Sequence, residues 1–131
     1  MSDTLQLEAQ QSVDGSLMRE LNRLGWLGTV ALASGCILLG LSWHWQGAMQ
    51  WLLQAGLIWA FICYETRRRL PRNRQRPETP PYKELGWANR LTLLRAWLIA
   101  AVAGFLFQPW PEEPALAWLP GMLYLCAAVL D

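Results

Sequence analysis

Charge is what this sequence has least of. Only 16% of its 131 residues are Asp, Glu, Lys or Arg, against about 25% in an ordinary soluble domain. That deficit excludes a conventional soluble fold. Cysteine is also scarce. Cys36, Cys63 and Cys126 lie at scattered spacing inside apolar stretches, which excludes a disulfide framework and a cysteine-based metal motif. They read as small packing residues. The one histidine, His44, stands between Trp43 and Trp45 and reads as part of an interfacial aromatic cluster rather than as a ligand. Residues 1–15 contain no Lys or Arg, so they lack the basic start of a secretory signal peptide. They are expected to be loosely ordered. No internal repeat or low-complexity run is evident.

Apolar residues are abundant: 53% of the chain is hydrophobic, and nine residues are tryptophan. The pattern predicts an all-α integral membrane bundle of about four transmembrane helices. Residues 1–23 form a polar tail and a short amphipathic helix. Within it Leu17, Met18, Leu21 and Leu24 share a face, and Ser16 is a suitable N-cap. That helix reads equally well as lying on the membrane surface or as an extension of the first span. Residues 24–64 form a transmembrane hairpin, with spans near 24–43 and 48–64 joined by "HWQGAMQ". The first span is uncharged and long enough to cross a hydrocarbon core of about 30 Å. Its glycines, Gly25, Gly28, Gly35 and Gly40, suit close helix approach.

Residues 65–88 form an Arg- and Pro-rich loop. The stretch 65–90 carries eight basic and three acidic residues, and its prolines prevent one continuous helix. Short basic loops stay in the cytoplasm. The N-terminus, this loop and Asp131 are therefore expected inside, and His44 and Glu112 outside. Contact with anionic lipid headgroups is compatible with that placement; nucleic-acid binding is not expected. The third span is expected near 91–107 and the fourth near 116–130. The fourth reaches only about 22 Å at roughly 1.5 Å per residue. It also ends on Asp131, where a helix dipole favours a cation. Both features lead to the expectation that the natural polypeptide continues. A short tilted helix with its carboxylates in the headgroup zone is the alternative.

The stretch "NRLTLLRAW", residues 89–97, carries the chemistry. Asn89 is placed to cap the third span. Thr92 and Arg95 are three apart and share a face. An amide, a hydroxyl and a guanidinium at the cytoplasmic end suit a phosphate-bearing ligand. The same residues also suit an N-cap plus a positive anchor. The register of Asn89, Leu91, Thr92 and Arg95, with an aspartate at the inner end of the next helix, resembles the start of the CDP-alcohol phosphatidyltransferase family. Its first core helix reads N-x-L-T-x-x-R, and its next ends in D-x-x-D-G-x-x-A-R. Asp131 falls at the first aspartate of that signature, and the resemblance covers residues 89–131.

The resemblance implies a phospholipid-synthesis enzyme of a bacterial inner membrane, with its active side cytoplasmic. Such an enzyme transfers a substituted phosphate from a CDP-linked lipid donor to an alcohol acceptor and releases CMP. It implies Mg²⁺ or Mn²⁺ as cofactor with Asp131 as one metal ligand. Asn89, Thr92 and Arg95 would lie near the donor, and a homodimer is the common state. No catalytic base is identified, and residues 1–131 alone are expected to be inactive. Two other readings stay open: a non-enzymatic four-span subunit or assembly factor, and a piece of a transporter, for which Gln50 and Gln54 are the only support.

Overall fold

The computed structural model describes residues 2–70, 85–109 and 112–130, with residues 2–14 described by their backbone alone. Among these residues the chain is all-helical: α1 (Ser2–Ser42), α2 (Trp45–Arg69), α3 (Trp87–Ala103) and α4 (Pro114–Val129). Consecutive helices are neighbours, α1 on α2, α2 on α3 and α3 on α4. Most of the 65–88 loop lies outside the described residues, as does Asp131.

The expectation of a loose N-terminal tail is corrected. Helix α1 runs unbroken for 41 residues. Nothing in 2–15 forbids this: the stretch contains no proline, and it is rich in Leu, Gln, Glu and Ala, which favour helix. Ser16 therefore lies inside the helix and does not start it. The amphipathic face beyond it meets protein: Leu17 and Leu21 are buried against Leu85 and Leu93. This is the helix-extension reading of residues 16–23.

Two segments are long and apolar enough to cross a membrane, Gly15–Ser42 with 28 residues and Trp45–Arg69 with 25. Only 22% and 28% of their most apolar windows are buried within the molecule, so most of that surface points outward. Trp26, Leu27, Leu38, Leu41, Leu53, Leu57 and Phe61 are all exposed. Helix α3 has 17 residues and α4 has 16. At roughly 1.5 Å per residue they reach about 25 Å.

The α1–α2 turn is tighter than expected, because α2 already begins at Trp45. Trp43 and His44 pack edge to face, centroids 4.1 Å apart, and both cover Gly47. The main core cluster joins Leu32, Cys36 and Leu39 of α1, Ala48, Trp51, Ala55 and Trp59 of α2, and Ala100 and Ala101 of α3. The Cys36 thiol donates to the Ala48 carbonyl at 3.4 Å, which bears out its packing role.

Tryptophan is the stitching residue of this core. The indole N–H of Trp51 donates to Ala101 O at 2.9 Å, that of Trp59 to Gly25 O at 3.2 Å, and that of Trp97 to Gly28 O at 2.9 Å. Each indole thus fills an interhelical gap and satisfies its one polar atom there. Glycine makes the room. A Cβ on Gly28 would stand 2.4 Å from the Trp59 ring, and one on Gly104 would stand 2.6 Å from that of Trp51. The glycines of α1 therefore admit rings from α2, a different use from backbone-to-backbone approach. Hydroxyls within the helices are satisfied locally: Thr29, Ser34, Thr66 and Thr92 each donate to the carbonyl four residues back.

Candidate functional site

The arginine-bearing end of α2 meets the start of α3 and the middle of α1. Arg67 donates to the Asn22 side-chain oxygen. Arg68 and Arg69 both pair with Glu65, at 3.7 and 3.2 Å. These are i,i+3 and i,i+4 contacts along one helix. Across the helices, the Glu20 carboxylate takes two partners. One oxygen pairs with Arg90 at 2.5 Å, and the other accepts the Leu85 N–H at 2.9 Å. Glu20 thereby ties the segment entering α3 to α1.

That tether sets where α3 starts. The helix begins at Trp87 with Gly86 as N-cap and no side-chain cap bond. The expected capping role of Asn89 is corrected: Asn89 lies inside the first turn, its own N–H donating to Gly86 O at 2.9 Å. The end of α3 is also corrected, from Phe107 to Ala103, with a turn at 104–107 in which Phe107 takes φ 65°. Side chains of α2 supply donors at this end. Trp51 reaches Ala101 O. The Gln54 amide lies against the turn after α3; with its nitrogen assigned to the carbonyl side, the orientation that satisfies both of its polar atoms, it donates to Gly104 O at 2.9 Å and Leu106 O at 2.7 Å. Carbonyls that a helix leaves unpaired at its C-terminus are met from the neighbouring helix, so the chain can turn early. Gln54 thus has a structural partner set, which removes half of the support for a transport pathway.

A cavity of about 600 Å³ lies between α2 and α3 at this end, lined on its polar side by Glu65, Thr66, Arg69, Asn89 and Thr92. Its apolar wall includes Phe61, Ile62, Leu85 and Leu93. The structure therefore brings Asn89 and Thr92 together in one cleft. Arg95, half-buried about one turn further along α3, is not among the residues lining it. The Thr92 hydroxyl already donates to Ala88 O at 2.9 Å. As it stands, it offers a ligand lone pairs rather than a proton.

Sequence reasoning passed over Glu20, Glu65, Thr66 and Arg69. The spacing of "ETRRR" carried a signal for Glu65 and its arginines. Glu20 carried none, because its partners are distant in the chain.

Among the described residues the implied divalent metal finds no cradle. Among the described residues no three His, Cys, Asp or Glu side chains come together. The carboxylates at this end, Glu20 and Glu65, are both engaged by arginines. Asp131, the metal ligand the resemblance implies, lies outside the described residues.

Compared with protein-family models, with curated proteins and with solved structures, the chain matches none.

Proposed function

We propose that this chain is a membrane protein of four helices whose arginine-bearing end faces the cytoplasm, and that it supplies the opening helices of a CDP-alcohol phosphatidyltransferase-like enzyme. One observation carries the enzymatic part: Asn89 and Thr92, two residues of the N-x-L-T-x-x-R register, line a single polar cleft beside Arg69. A cleft with an amide and a guanidinium suits a phosphate oxygen. Its apolar wall suits the chains of a lipid-linked donor. In this reading Arg95 acts from beside the cleft, and the alcohol acceptor is met by residues beyond these helices.

The test is CMP release from CDP-diacylglycerol with a panel of alcohols, with and without Mg²⁺, by membranes expressing the natural reading frame. Activity is expected, falling about tenfold in Arg95→Lys, the loss of roughly one charge-assisted hydrogen bond. No release, together with no binding of CDP, would remove the enzyme reading. A non-enzymatic subunit is then favoured, because Arg67, Arg68, Arg69 and Arg90 each make a contact within the protein.

Orientation has its own test. In a protein stripped of its native cysteines, a cysteine at Glu112 should react with an impermeant maleimide in intact cells. One at Arg68 should react only after the membrane is opened. The reverse pattern would overturn the topology, since basic ends stay cytoplasmic.

A further inference from the structure

Both walls of the α2–α3 cavity change from apolar to polar in the same direction. Along α2 the lining runs from Phe61 and Ile62 through Glu65 and Thr66 to Arg69, and along α3 it runs back from Leu93 through Thr92 to Asn89. The result is a slot with an apolar floor toward the middle of the helices and a polar band of Glu65, Thr66, Arg69, Asn89 and Thr92 nearer the arginine end, where Leu70 and Leu85 also line it. Phe61 and Asn89 are both exposed, so the slot is open to the surroundings at its two extremes. At the polar end, Arg68 and Arg69 share the one carboxylate of Glu65. Two guanidiniums to one carboxylate leaves a net positive charge. Among the described residues Arg69 meets Glu65 through Nε, and its terminal amino groups are the part it offers an anion.

We propose that this slot holds an anionic phospholipid of the leaflet at the Arg67–Arg69 end, its phosphate against Arg69 and Asn89 and a chain along Phe61, Ile62 and Leu93. Basic pockets between membrane helices are suited to such headgroups. Glu65 opposes the anion and is offset by its two arginines. The slot is the cleft that the transferase reading gives to the donor, so the two lipids would compete for it; the inference does not rest on that reading, because this lipid is bound, not consumed, and its test involves no turnover.

The experiment is native mass spectrometry of the purified chain released from detergent micelles carrying equal amounts of dioleoylphosphatidylglycerol and dioleoylphosphatidylcholine. Bound phosphatidylglycerol should exceed phosphatidylcholine by roughly fivefold, the value of about one basic residue at an anionic headgroup. Arg69→Gln and Asn89→Asp should each bring the ratio close to one. Both positions are exposed, so neither change disturbs the core. Arg23→Gln, on an exposed part of α1, should leave the ratio intact. Equal occupancy by the two lipids in the unaltered protein would overturn the proposal. So would a preference that survives both substitutions. Displacement of the lipid by excess glycerol phosphate would show that the headgroup alone is recognised, and would overturn it as well.

Discussion

Replacing Trp51 with alanine is expected to cost about 3–5 kcal/mol, the range for excising a core tryptophan, and to loosen α3 and α4 from the first hairpin. Trp51 is only 4% exposed and touches three helical levels at once. Its ring lies over Gly35 of α1 and over Gly104 just past α3, and it tilts against Phe105 at 5.9 Å. Its indole N–H holds Ala101 O at 2.9 Å. In a bilayer the emptied space gains little from lipid, because attraction there comes from packed contacts rather than from exclusion of water. Trp51→Phe keeps most of the ring and loses the donor. It should cost about 1 kcal/mol, one hydrogen bond. Unfolding in mixed micelles titrated with SDS, followed by circular dichroism, reads both. Trp26→Ala is the control, because Trp26 is 70% exposed. If the control and Trp51→Ala unfold together, the stitching role of Trp51 is wrong.

The first hairpin was legible because hydropathy depends on composition along the chain. The span expected at 48–64 falls within α2, and that at 24–43 lies in α1 but for its last residue, Trp43. The start of α1 and both ends of α2 lie further out, since a helix does not stop where the hydrocarbon does. Residues 65–69 continue α2 on favourable i,i+3 and i,i+4 pairs of Glu65 with Arg68 and Arg69. The limits of α3 were less legible. Its start is fixed by Glu20, which meets Leu85 and Arg90 from 65 and 70 positions away in sequence. Its end is fixed by donors on α2. Neither is a local signal. Nine tryptophans in an apolar chain also read naturally as aromatic belts at the bilayer surface. Three of them donate between helices instead, each to a carbonyl at least 34 residues distant.

The candidate site was legible in part for a similar reason. Asn89 and Thr92 share a cleft because three residues on a helix bring them to one side. Arg95 continues the same rotation and passes beyond the cleft's lining. The other wall comes from α2, in residues that the sequence presented only as a basic stretch holding the chain inside. Topology and ligand contact are not competing uses of those arginines. A guanidinium that stays at the cytoplasmic surface is also where a lipid phosphate lies.

Replacing Gln54 with leucine tests whether α3 ends where it does because α2 supplies donors. The Gly104 carbonyl accepts from Gln54 at 2.9 Å and from the Gln108 amide at 3.0 Å, and the Leu106 carbonyl accepts from Gln54 at 2.7 Å. Within a bilayer, non-helical backbone is tolerated only where protein or trapped water meets its polar groups. Gln54 lies nine residues inside the start of α2 at Trp45, roughly 14 Å along the helix, so the turn at 104–107 lies at membrane depth in the proposed arrangement. Leucine has similar bulk and better apolar character, and by hydropathy alone the change should stabilise the protein. The structure requires the opposite sign. Gln54→Leu should cost about 1 kcal/mol, the loss of the bond to the Leu106 carbonyl, since the Gly104 carbonyl keeps the Gln108 amide, a value in keeping with bonds between membrane helices. Gln50→Leu, one turn away and exposed, should be neutral to within about 0.5 kcal/mol or mildly stabilising. The same SDS titration compares them directly. Equal, stabilising shifts for both glutamines would mean that the end of α3 holds itself, and that Gln54 is merely a polar residue facing lipid.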